Sequence, residues 1–357
     1  MKDPIAIIGA GNGGQAFAGY LSLHGHEVKI FDVIQKTVDT LNEKGGVLIE
    51  GNSDATGFGK IALASTDIGE VMEGAKIILV VLPSLYHKDM AKKMMPYLKD
   101  GQCVVLNPNA SLGTVEFKKQ LDDLGCTANI ILACTATLLF ACRAVEVGHV
   151  VVAGQKTSFT ASTYPSSRNE EAKELFADVL PQFDFCEDII RVSLDNLNAF
   201  MHPGPTILNT GRIESRTPFE YYLDMTPSQA KFVEALDEER MEIAKAFGVN
   251  CRTLKDEYLD IYETHGDTFH EVITNCEGYH GIKGQTSLRT RYVMEDIPCS
   301  LVAIQSMGKI AGVPTPCAEA MIVIARAMID GIEEGRTLKN LGLENVSKEE
   351  FISMCRG

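Results

Sequence analysis

The sequence has a shortage of positive charge, and this shortage excludes two classes of partner. Its 33 Lys and Arg residues are outnumbered by 48 Asp and Glu residues, which gives a formal net charge of −15. Proteins that bind nucleic acid or an anionic membrane need Lys and Arg to neutralise phosphates. We therefore expect neither kind of partner. A small anionic substrate remains compatible, because one arginine can dominate the potential inside a pocket.

Closely spaced cysteines and long apolar runs are also missing. The ten cysteines include no Cys-x-x-Cys pair, so we expect no metal site and no redox-active cysteine pair. Most of them have apolar neighbours, which favours buried, reduced thiols. The apolar stretch at 318–329 is interrupted by Glu319 and Arg326 and is too short to span a bilayer. The strand pattern starts too early to leave room for a signal peptide, and we expect a cytoplasmic protein.

Short runs rich in Val and Ile alternate with helical patterns in the first part of the chain. Most runs lack period-two alternation, which suits strands buried on both faces of a parallel sheet. This order predicts a doubly wound α/β domain. The strand candidates are residues 5–8, 28–31, 77–82, 103–106, 130–134 and 150–153, with a small hairpin expected from 47–49 and 60–63. The helical candidates between them are residues 14–24, 34–44, 86–98 and 115–124.

The pattern changes after about residue 190. Helical periodicity runs through residues 228–247, 254–264 and 316–331, while strand-like runs become scarce. We therefore expect a sheet-containing domain over residues 1–189 and a mainly α-helical substrate domain over residues 190–357.

A glycine motif follows the first strand candidate. The segment Gly-Ala-Gly-Asn-Gly-Gly, which starts at Gly9, fits G-x-G-x-x-G between a strand pattern and a helical pattern. In that context Gly9 permits a tight turn, Gly11 lets the main chain approach a pyrophosphate, and Gly14 lets the helix pack on the strand. Free N–H groups at the helix start, around Asn12 and Gly13, bind phosphate oxygens. The motif predicts a Rossmann dinucleotide-binding domain.

A carboxylate and two loops complete the expected cofactor site. Asp32 ends the second strand, eighteen residues beyond Gly14. A carboxylate there accepts the ribose hydroxyls of NAD and repels the extra phosphate of NADP, so NAD is favoured over NADP. Ligands of such sheets bind at the carboxyl ends of the strands. The loop residues expected to line this cleft are Leu82, Pro83, Ser84 and Asn107.

Two segments of the second domain carry ionisable side chains beside prolines. His202 lies in His-Pro-Gly-Pro, where the prolines interrupt a helical stretch. A histidine held at such a break can transfer a proton near neutral pH, and capping of a helix end is an equally good interpretation. The second segment, Arg-Thr-Arg-Tyr-Val-Met-Glu-Asp-Ile-Pro, ends at Pro298. It suits binding of a substrate carboxylate and orientation of a histidine, or it is a solvated charged loop.

These two segments, with Leu-Leu-Phe-Ala-Cys-Arg ending at Arg143 and Gly-Val-Pro-Thr-Pro ending at Pro316, resemble the opine dehydrogenase family. The likeness extends over nearly the whole chain, and both segments are more specific than the glycine motif. The resemblance implies a Rossmann domain followed by a helical domain, with the active site between them. It also implies reductive condensation of an α-keto acid, often pyruvate, with the amino group of an amino acid by NADH or NADPH.

The resemblance implies a role for four residues of the chain. His202 corresponds to the acid/base histidine, Asp296 to the carboxylate that orients it, and Arg291 to the arginine that binds a substrate carboxylate. Arg143 is a candidate for a second carboxylate contact, with a structural ion pair as the alternative. In the implied reaction, His202 protonates the hydroxyl that leaves the carbinolamine, and hydride then reaches the imine carbon.

Other functions stay open at this point. A related two-domain dehydrogenase could use the same His–Asp pair on a 2-hydroxy acid or a sugar-type alcohol. A redox sensor would bind NAD without any chemistry. The sequence does not identify the amino acid or the keto acid, and although the helical domain could support a homodimer, no interface can be located.

Overall fold

Twelve strands form in one of the two units into which the chain divides. The computed structural model describes residues 3–357, and this unit comprises the residues up to 109, residues 113–192 and residues 354–357. Its strands are β1 (Ile5–Ile8), β2 (Val28–Phe31), β3 (Gly46–Gly51), β4 (Gly57–Lys60), β5 (Leu63–Ser65), β6 (Ile77–Val80), β7 (Cys103–Leu106), β8 (Ile131–Thr135), β9 (Phe140–Glu146), β10 (His149–Gln155), β11 (Phe159–Thr163) and β12 (Phe183–Phe185).

Helices accompany these strands along the chain. They are α1 (Asn12–Leu23), α2 (Gln35–Lys44), α3 (Ile68–Met72), α4 (His87–Met94), α5 (Gly113–Asp123), α6 (Asn169–Phe176) and α7 (Ile189–Leu194). All four helices predicted in this part of the chain are present, within a few residues of the expected bounds.

Eight of the strands form the main sheet, in the order β12-β11-β8-β7-β6-β1-β2-β5. β1 pairs in parallel with β2 and with β6, so that Ile5 lies opposite both Val28 and Ile77. β1, β6 and β7 are buried throughout, as expected of central strands covered on both faces. The prediction of a doubly wound α/β domain is confirmed. The exception to parallel pairing is β11, which is antiparallel to β8.

The other four strands form a second sheet in the order β4-β3-β10-β9. The hairpin predicted from 47–49 and 60–63 is present as β3 and β4, which pair antiparallel. The prediction that residues 150–153 join the main sheet is wrong, since they lie in β10 between β3 and β9. Val150 and Val152 are buried while Val151 is exposed. This one-sided burial suits a sheet that packs one face on a helix, here α1.

The second unit comprises residues 110–112 and 193–353 and consists mainly of helices. Its long central helix α11 starts with a capping box at Thr226 and Gln229 and ends at Gly248 in the left-handed conformation. The helices are α8 (Asn198–Met201), α9 (Pro203–Leu208), α10 (Thr210–Glu214), α11 (Pro227–Phe247), α12 (Leu254–Ile261), α13 (Phe269–Thr274), α14 (Arg291–Met294), α15 (Val302–Ala311), α16 (Pro316–Met328) and α17 (Leu338–Leu341), and the chain ends in α18 (Lys348–Arg356).

The predicted helical character of this part of the chain is confirmed. A single β-bridge, between Glu220 and Lys283, lies outside the named strands of residues 3–357. Within the same residues, no helix combines the length and the apolar character needed to cross a membrane.

Candidate active site

The glycine motif forms the turn between β1 and α1. Gly9 has a φ of 111°, and a Cβ atom on Gly14 would lie 1.8 Å from the carbonyl oxygen of Gly9. These two glycines therefore shape the turn itself. Gly11 differs, because a Cβ atom there would meet no atom within 4 Å. The space beside Gly11 is open, and no side chain caps the start of α1, so its first N–H groups can bind an anion.

Asp32 follows β2 and reaches back to this turn. Its Oδ2 accepts a hydrogen bond from the backbone N–H of Ala10 at 2.8 Å, and its Oδ1 accepts one from Ile34 at 2.9 Å. The side chain is partly exposed. Each carboxylate oxygen has two acceptor positions, so both oxygens retain capacity for the hydroxyl groups of a ribose.

The two predicted loops follow β6 and β7. Leu82 lies against the glycine turn, since its Cδ2 would be 2.5 Å from a Cβ atom on Gly9. Pro83 is exposed and Ser84 is buried at the start of a short 3-10 turn. Asn107 is fully buried, and neither Oδ1 nor Nδ2 has a hydrogen-bond partner among the described residues. Because an unpaired buried amide is costly, Asn107 is suited to a bound ligand.

Asn12 and Gly13 occupy the first turn of α1. The side-chain Oδ1 of Asn12 accepts a hydrogen bond from the N–H of Ala144 in β9 at 3.0 Å. Gly13 is closely packed, since a Cβ atom there would lie 3.1 Å from Val81 and 3.3 Å from Leu138. The hydrogen bond to Asn12 and the close packing at Gly13 thus fix the first turn of α1. The open position at Gly11, the Asp32 carboxylate and the Asn107 amide together fit a dinucleotide.

His202 lies at the break between α8 and α9, at the position predicted from the proline pattern. Its Nδ1 is 2.7 Å from Oδ2 of Asp296, and the two side chains are only 7% and 5% exposed. Its ring stacks on that of Tyr292, with centroids 3.7 Å apart and an angle of 4° between the planes. The hydroxyl of Tyr221 donates to the carbonyl oxygen of His202 at 2.7 Å. Both the ring and the backbone of His202 are therefore held in place.

The surroundings of the His202–Asp296 pair make the two ring nitrogens of His202 chemically different. Burial raises the pKa of Asp296, against the lowering effect of the adjacent His202. A carboxylate that accepts Nδ1–H fixes the tautomer in which Nε2 carries the reactive lone pair. The hydroxyl of Tyr222 lies 3.5 Å from this Nε2. Burial raises the pKa of Tyr222 well above its ordinary value, so the phenol stays protonated at neutral pH.

Arg291 begins α14, in the segment that also contains Asp296. Its side chain is 59% exposed, and its Nε lies 3.2 Å from Oε2 of the nearly buried Glu295. The Arg291 charge adds to the effect of His202 in opposing the rise in the pKa of Asp296. Arg291 is thus near enough to influence the His–Asp pair, and Glu295 balances part of its charge.

Arg143 is exposed on β9, in the sheet-containing unit. Among the described residues of its own unit, no ion pair includes it, and the structural ion pair stays an alternative to a substrate contact. In the pairing of β9 with β10, Arg143 lies opposite Val151.

The sequence assigned no role to the aromatic residues around His202. Tyr292 lies within the charged segment, next to Arg291. Tyr221 and Tyr222 lie in Glu-Tyr-Tyr-Leu, which comes after the His-Pro-Gly-Pro segment along the chain. Their repeated occurrence near the ionisable residues was the only available signal. Tyrosines are common in buried cores, and periodicity alone cannot identify those that contact a histidine.

Two family models match the chain. The model described as NAD/NADP octopine/nopaline dehydrogenase, alpha-helical domain, matches residues 185–329. The model described as NAD-dependent glycerol-3-phosphate dehydrogenase N-terminus matches residues 4–111.

Individual proteins match over nearly the full length. An opine dehydrogenase of Arthrobacter sp. (strain 1C) is 37% identical over 345 residues, which cover 96% of each chain. The structure of an octopine dehydrogenase with NADH and L-arginine has a TM-score of 0.82 at 18% identity, and covers 100% of this chain and 99% of that one. The structure with NADH and pyruvate has a TM-score of 0.77 at 20% identity, with 97% of each chain covered. The two structures share the fold of this chain.

We expect the open space beside Gly11 to be occupied by the pyrophosphate of the bound cofactor. Gly11→Ala should fold normally, because its Cβ atom meets no protein atom. It should weaken NADH binding by about tenfold or more, because the methyl group takes space that the pyrophosphate needs. Fluorescence titration with NADH and thermal unfolding measure the two effects.

Gly154→Ala is the matched control. A Cβ atom at Gly154 also meets nothing within 4 Å, but this residue lies in β10. Its NADH affinity should equal that of the unmodified protein. Wild-type affinity in Gly11→Ala would exclude Gly11 from the cofactor site.

Proposed function

The chain belongs to the opine dehydrogenase family, and from this premise we propose which residues carry out the reaction and which keto acid they accept. The enzyme is an NAD-dependent oxidoreductase. It condenses an α-keto acid with the amino group of an amino acid and reduces the product to an N-carboxyalkyl amino acid. NADH, when bound, supplies the hydride. Gly9, Gly11, Gly13, Gly14 and Asp32 are proposed to hold it, together with Asn12, Leu82, Pro83, Ser84 and Asn107.

The buried contact between His202 and Asp296 is the observation that carries the proposed mechanism. Addition of the amine to the keto acid gives a carbinolamine, which must lose water to become an imine. Nε2 of His202 first accepts a proton from the ammonium group of the amino acid and then gives it to the departing hydroxyl, which leaves as water, while Asp296 stabilises the intermediate imidazolium from the Nδ1 side. Tyr292, stacked on the ring, holds its plane. Both nitrogens are thereby oriented before the substrate arrives.

Arg291 is proposed to bind the carboxylate of the keto acid. Its Nε lies 3.2 Å from Oε2 of Glu295, and among the described residues no hydrogen bond engages the terminal nitrogens of the exposed side chain. A guanidinium edge of this kind binds a carboxylate through two parallel hydrogen bonds. We propose pyruvate as the keto acid, and Arg143 as a contact for a second carboxylate, since an amino acid substrate brings its own.

The cysteines support a cytoplasmic location, which we infer from their chemistry. All ten are free thiols. Burial raises the pKa of Cys103 and of Cys134 far above the ordinary value. Buried thiols that remain protonated react slowly with oxidants, and free thiols persist in a reducing compartment.

Replacement of the proposed acid tests its role. His202→Ala should lower kcat by about 10²–10⁴-fold, the usual contribution of a positioned acid, while NADH affinity stays close to that of the unmodified enzyme. Steady-state kinetics and NADH titration measure both. His265→Ala is the control, because His265 is an exposed histidine of the same unit. Wild-type turnover of His202→Ala would remove this residue from the mechanism.

Replacement of Arg291 should change substrate affinity more than turnover. Arg291→Ala removes charge-assisted hydrogen bonds worth about 1.5–3 kcal/mol, so KM for the keto acid should rise by about 10–100-fold. Arg289→Ala is the matched control, since the Arg289 guanidinium donates to the carbonyl oxygen of Asp330 instead. Unchanged saturation by the keto acid in Arg291→Ala would contradict the assignment.

Dependence on the amine tests the reaction itself. NADH oxidation is followed with pyruvate alone and then with pyruvate and each of a panel of amino acids. Oxidation should require both substrates. Oxidation with the keto acid alone would favour a 2-hydroxy acid dehydrogenase, and NADH binding without turnover across a panel of keto acids and amines would favour a sensor.

A further inference from the structure

Two consecutive tyrosines contact His202 at different points. The hydroxyl of Tyr221 donates to the carbonyl oxygen of His202 at 2.7 Å, and the hydroxyl of Tyr222 lies 3.5 Å from Nε2 of its ring. Tyr221 therefore holds the backbone of His202. Tyr222 instead faces the nitrogen that transfers protons in the proposed mechanism, so its hydroxyl lies where the reacting atoms of a substrate must come.

The position of the Tyr222 hydroxyl is fixed by packing. The ring of Tyr222 stacks on that of Tyr279, with centroids 4.0 Å apart and an angle of 17° between the planes. It meets the ring of Tyr221 edge-on, at 4.9 Å and 84°. The backbone N–H of Tyr221 donates to the carbonyl oxygen of Ile282 at 2.8 Å, and Tyr222 is only 7% exposed. The hydroxyl is thus oriented before a substrate binds, as a catalytic donor must be.

The gap between the Tyr222 hydroxyl and Nε2 of His202 suits a third atom. Their separation of 3.5 Å is longer than the roughly 2.7–3.2 Å of most protein hydrogen bonds. An oxygen atom about 2.8 Å from both would form a hydrogen bond with each of them. The substrate oxygen that His202 protonates must come within this distance of Nε2. The same oxygen can therefore accept a hydrogen bond from Tyr222.

Tyr222 is suited to donate a proton in a hydrogen bond and not to lose it. Burial raises the pKa of Tyr222 well above its ordinary value, so the phenol stays neutral near pH 7. Its hydroxyl also contacts that of Tyr292, a contact that lowers the pKa of Tyr292 although burial raises it more. A phenolic proton can turn between acceptors. A negative substrate oxygen attracts it more strongly than a neutral phenol does.

We propose that Tyr222 is a catalytic residue whose hydroxyl donates a hydrogen bond to the carbonyl oxygen of the keto acid while the amine adds. This inference rests on the proposed function. The lone pair of the amine nitrogen forms the new C–N bond, and the π electrons of the C=O bond move to the oxygen. Tyr222 stabilises the negative charge that develops there and keeps its own proton.

The protons of the substrate ammonium group account for the remaining steps. One moves to Nε2 of His202 before the amine adds, one passes from the added nitrogen to the negative oxygen, and one stays on the nitrogen. His202 then gives its proton to the resulting hydroxyl. The C–O bond breaks with its electrons on the oxygen, which releases water and leaves an iminium ion. Tyr222 and His202 thus contact the same oxygen throughout.

Removal of the Tyr222 hydroxyl is the first test. Tyr222→Phe keeps the stacked ring, and it should lower kcat by about 10²–10³-fold, the usual cost of losing one donor directed at a developing oxyanion. Tyr258→Phe is the matched control, because Tyr258 is 5% exposed and its hydroxyl bonds to Tyr279. Its kcat should stay close to that of the unmodified enzyme. Thermal unfolding shows whether both variants are folded.

Two further measurements separate a contact with substrate from an effect on the position of His202. Calorimetric titration of the enzyme–NADH complex with pyruvate, without an amino acid, should give a Kd about 2–10-fold higher in Tyr222→Phe, the contribution of one neutral hydrogen bond. Tyr258→Phe should leave this Kd unchanged. The downfield proton resonance of Nδ1–H of His202 should be the same in Tyr222→Phe as in the unmodified enzyme, because Asp296 still accepts this proton.

Three results would overturn the proposal. Equal kcat in Tyr222→Phe and Tyr258→Phe would show that the hydroxyl has no part in the reaction. An unchanged Kd for pyruvate would show that it does not contact the keto acid. A lost or shifted Nδ1–H resonance in Tyr222→Phe would show that Tyr222 only positions His202. The unmodified enzyme, assayed with and without an amino acid, tests the proposed function separately, since pyruvate binding requires no turnover.

Discussion

The hydrogen bond between His202 and Asp296 is the interaction on which the catalytic arrangement depends. It joins Nδ1 and Oδ2 at 2.7 Å, between two nearly buried side chains that are 94 positions apart in the sequence. Both residues stand where a helix is interrupted, His202 before Pro203 and Asp296 before the segment Ile297–Leu301, which winds as a π-helix. Such interruptions redirect side chains and backbone groups that a regular helix would orient otherwise. The sequence therefore uses two helix breaks to bring an imidazole and a carboxylate into contact.

The buried side chain and the backbone of Arg336 donate hydrogen bonds to the backbone that follows Asp296. Its Nη1 donates to the carbonyl oxygens of Cys299 and Ser111 at 3.0 and 2.8 Å, and its own N–H donates to Pro298 at 2.9 Å. The side chain is fully buried. A guanidinium offers five donors in a fixed plane, which suits the carbonyl groups that a π-helical segment leaves without regular partners. This arrangement explains why an irregular segment can position Asp296 accurately.

Much of the fold could be predicted from the sequence because the signals are local. β1 and β7 have the expected bounds, since continuous apolar runs mark strands buried on both faces. The residues of β10 show the same composition but belong to another sheet, because strand partners are chosen by distant contacts with β3 and β9. In the site, the proline break at His202 was predictable, whereas the stacking of Tyr292 and the ion pair of Arg291 with Glu295 were not.

The sequence by itself determined the glycine turn, the carboxylate after β2, the helix break at His202 and the identity of the ionisable groups. Each depends on residues that are close along the chain, where backbone preferences act directly. Only the tertiary structure decided that Asp296 accepts a hydrogen bond from Nδ1 of His202, that the ring of Tyr292 stacks on the imidazole, and that α16 leaves one apolar side exposed. A helix with apolar residues on opposite sides has no internal mark of which side the core will cover, because that choice is made by the packing of helices distant in sequence.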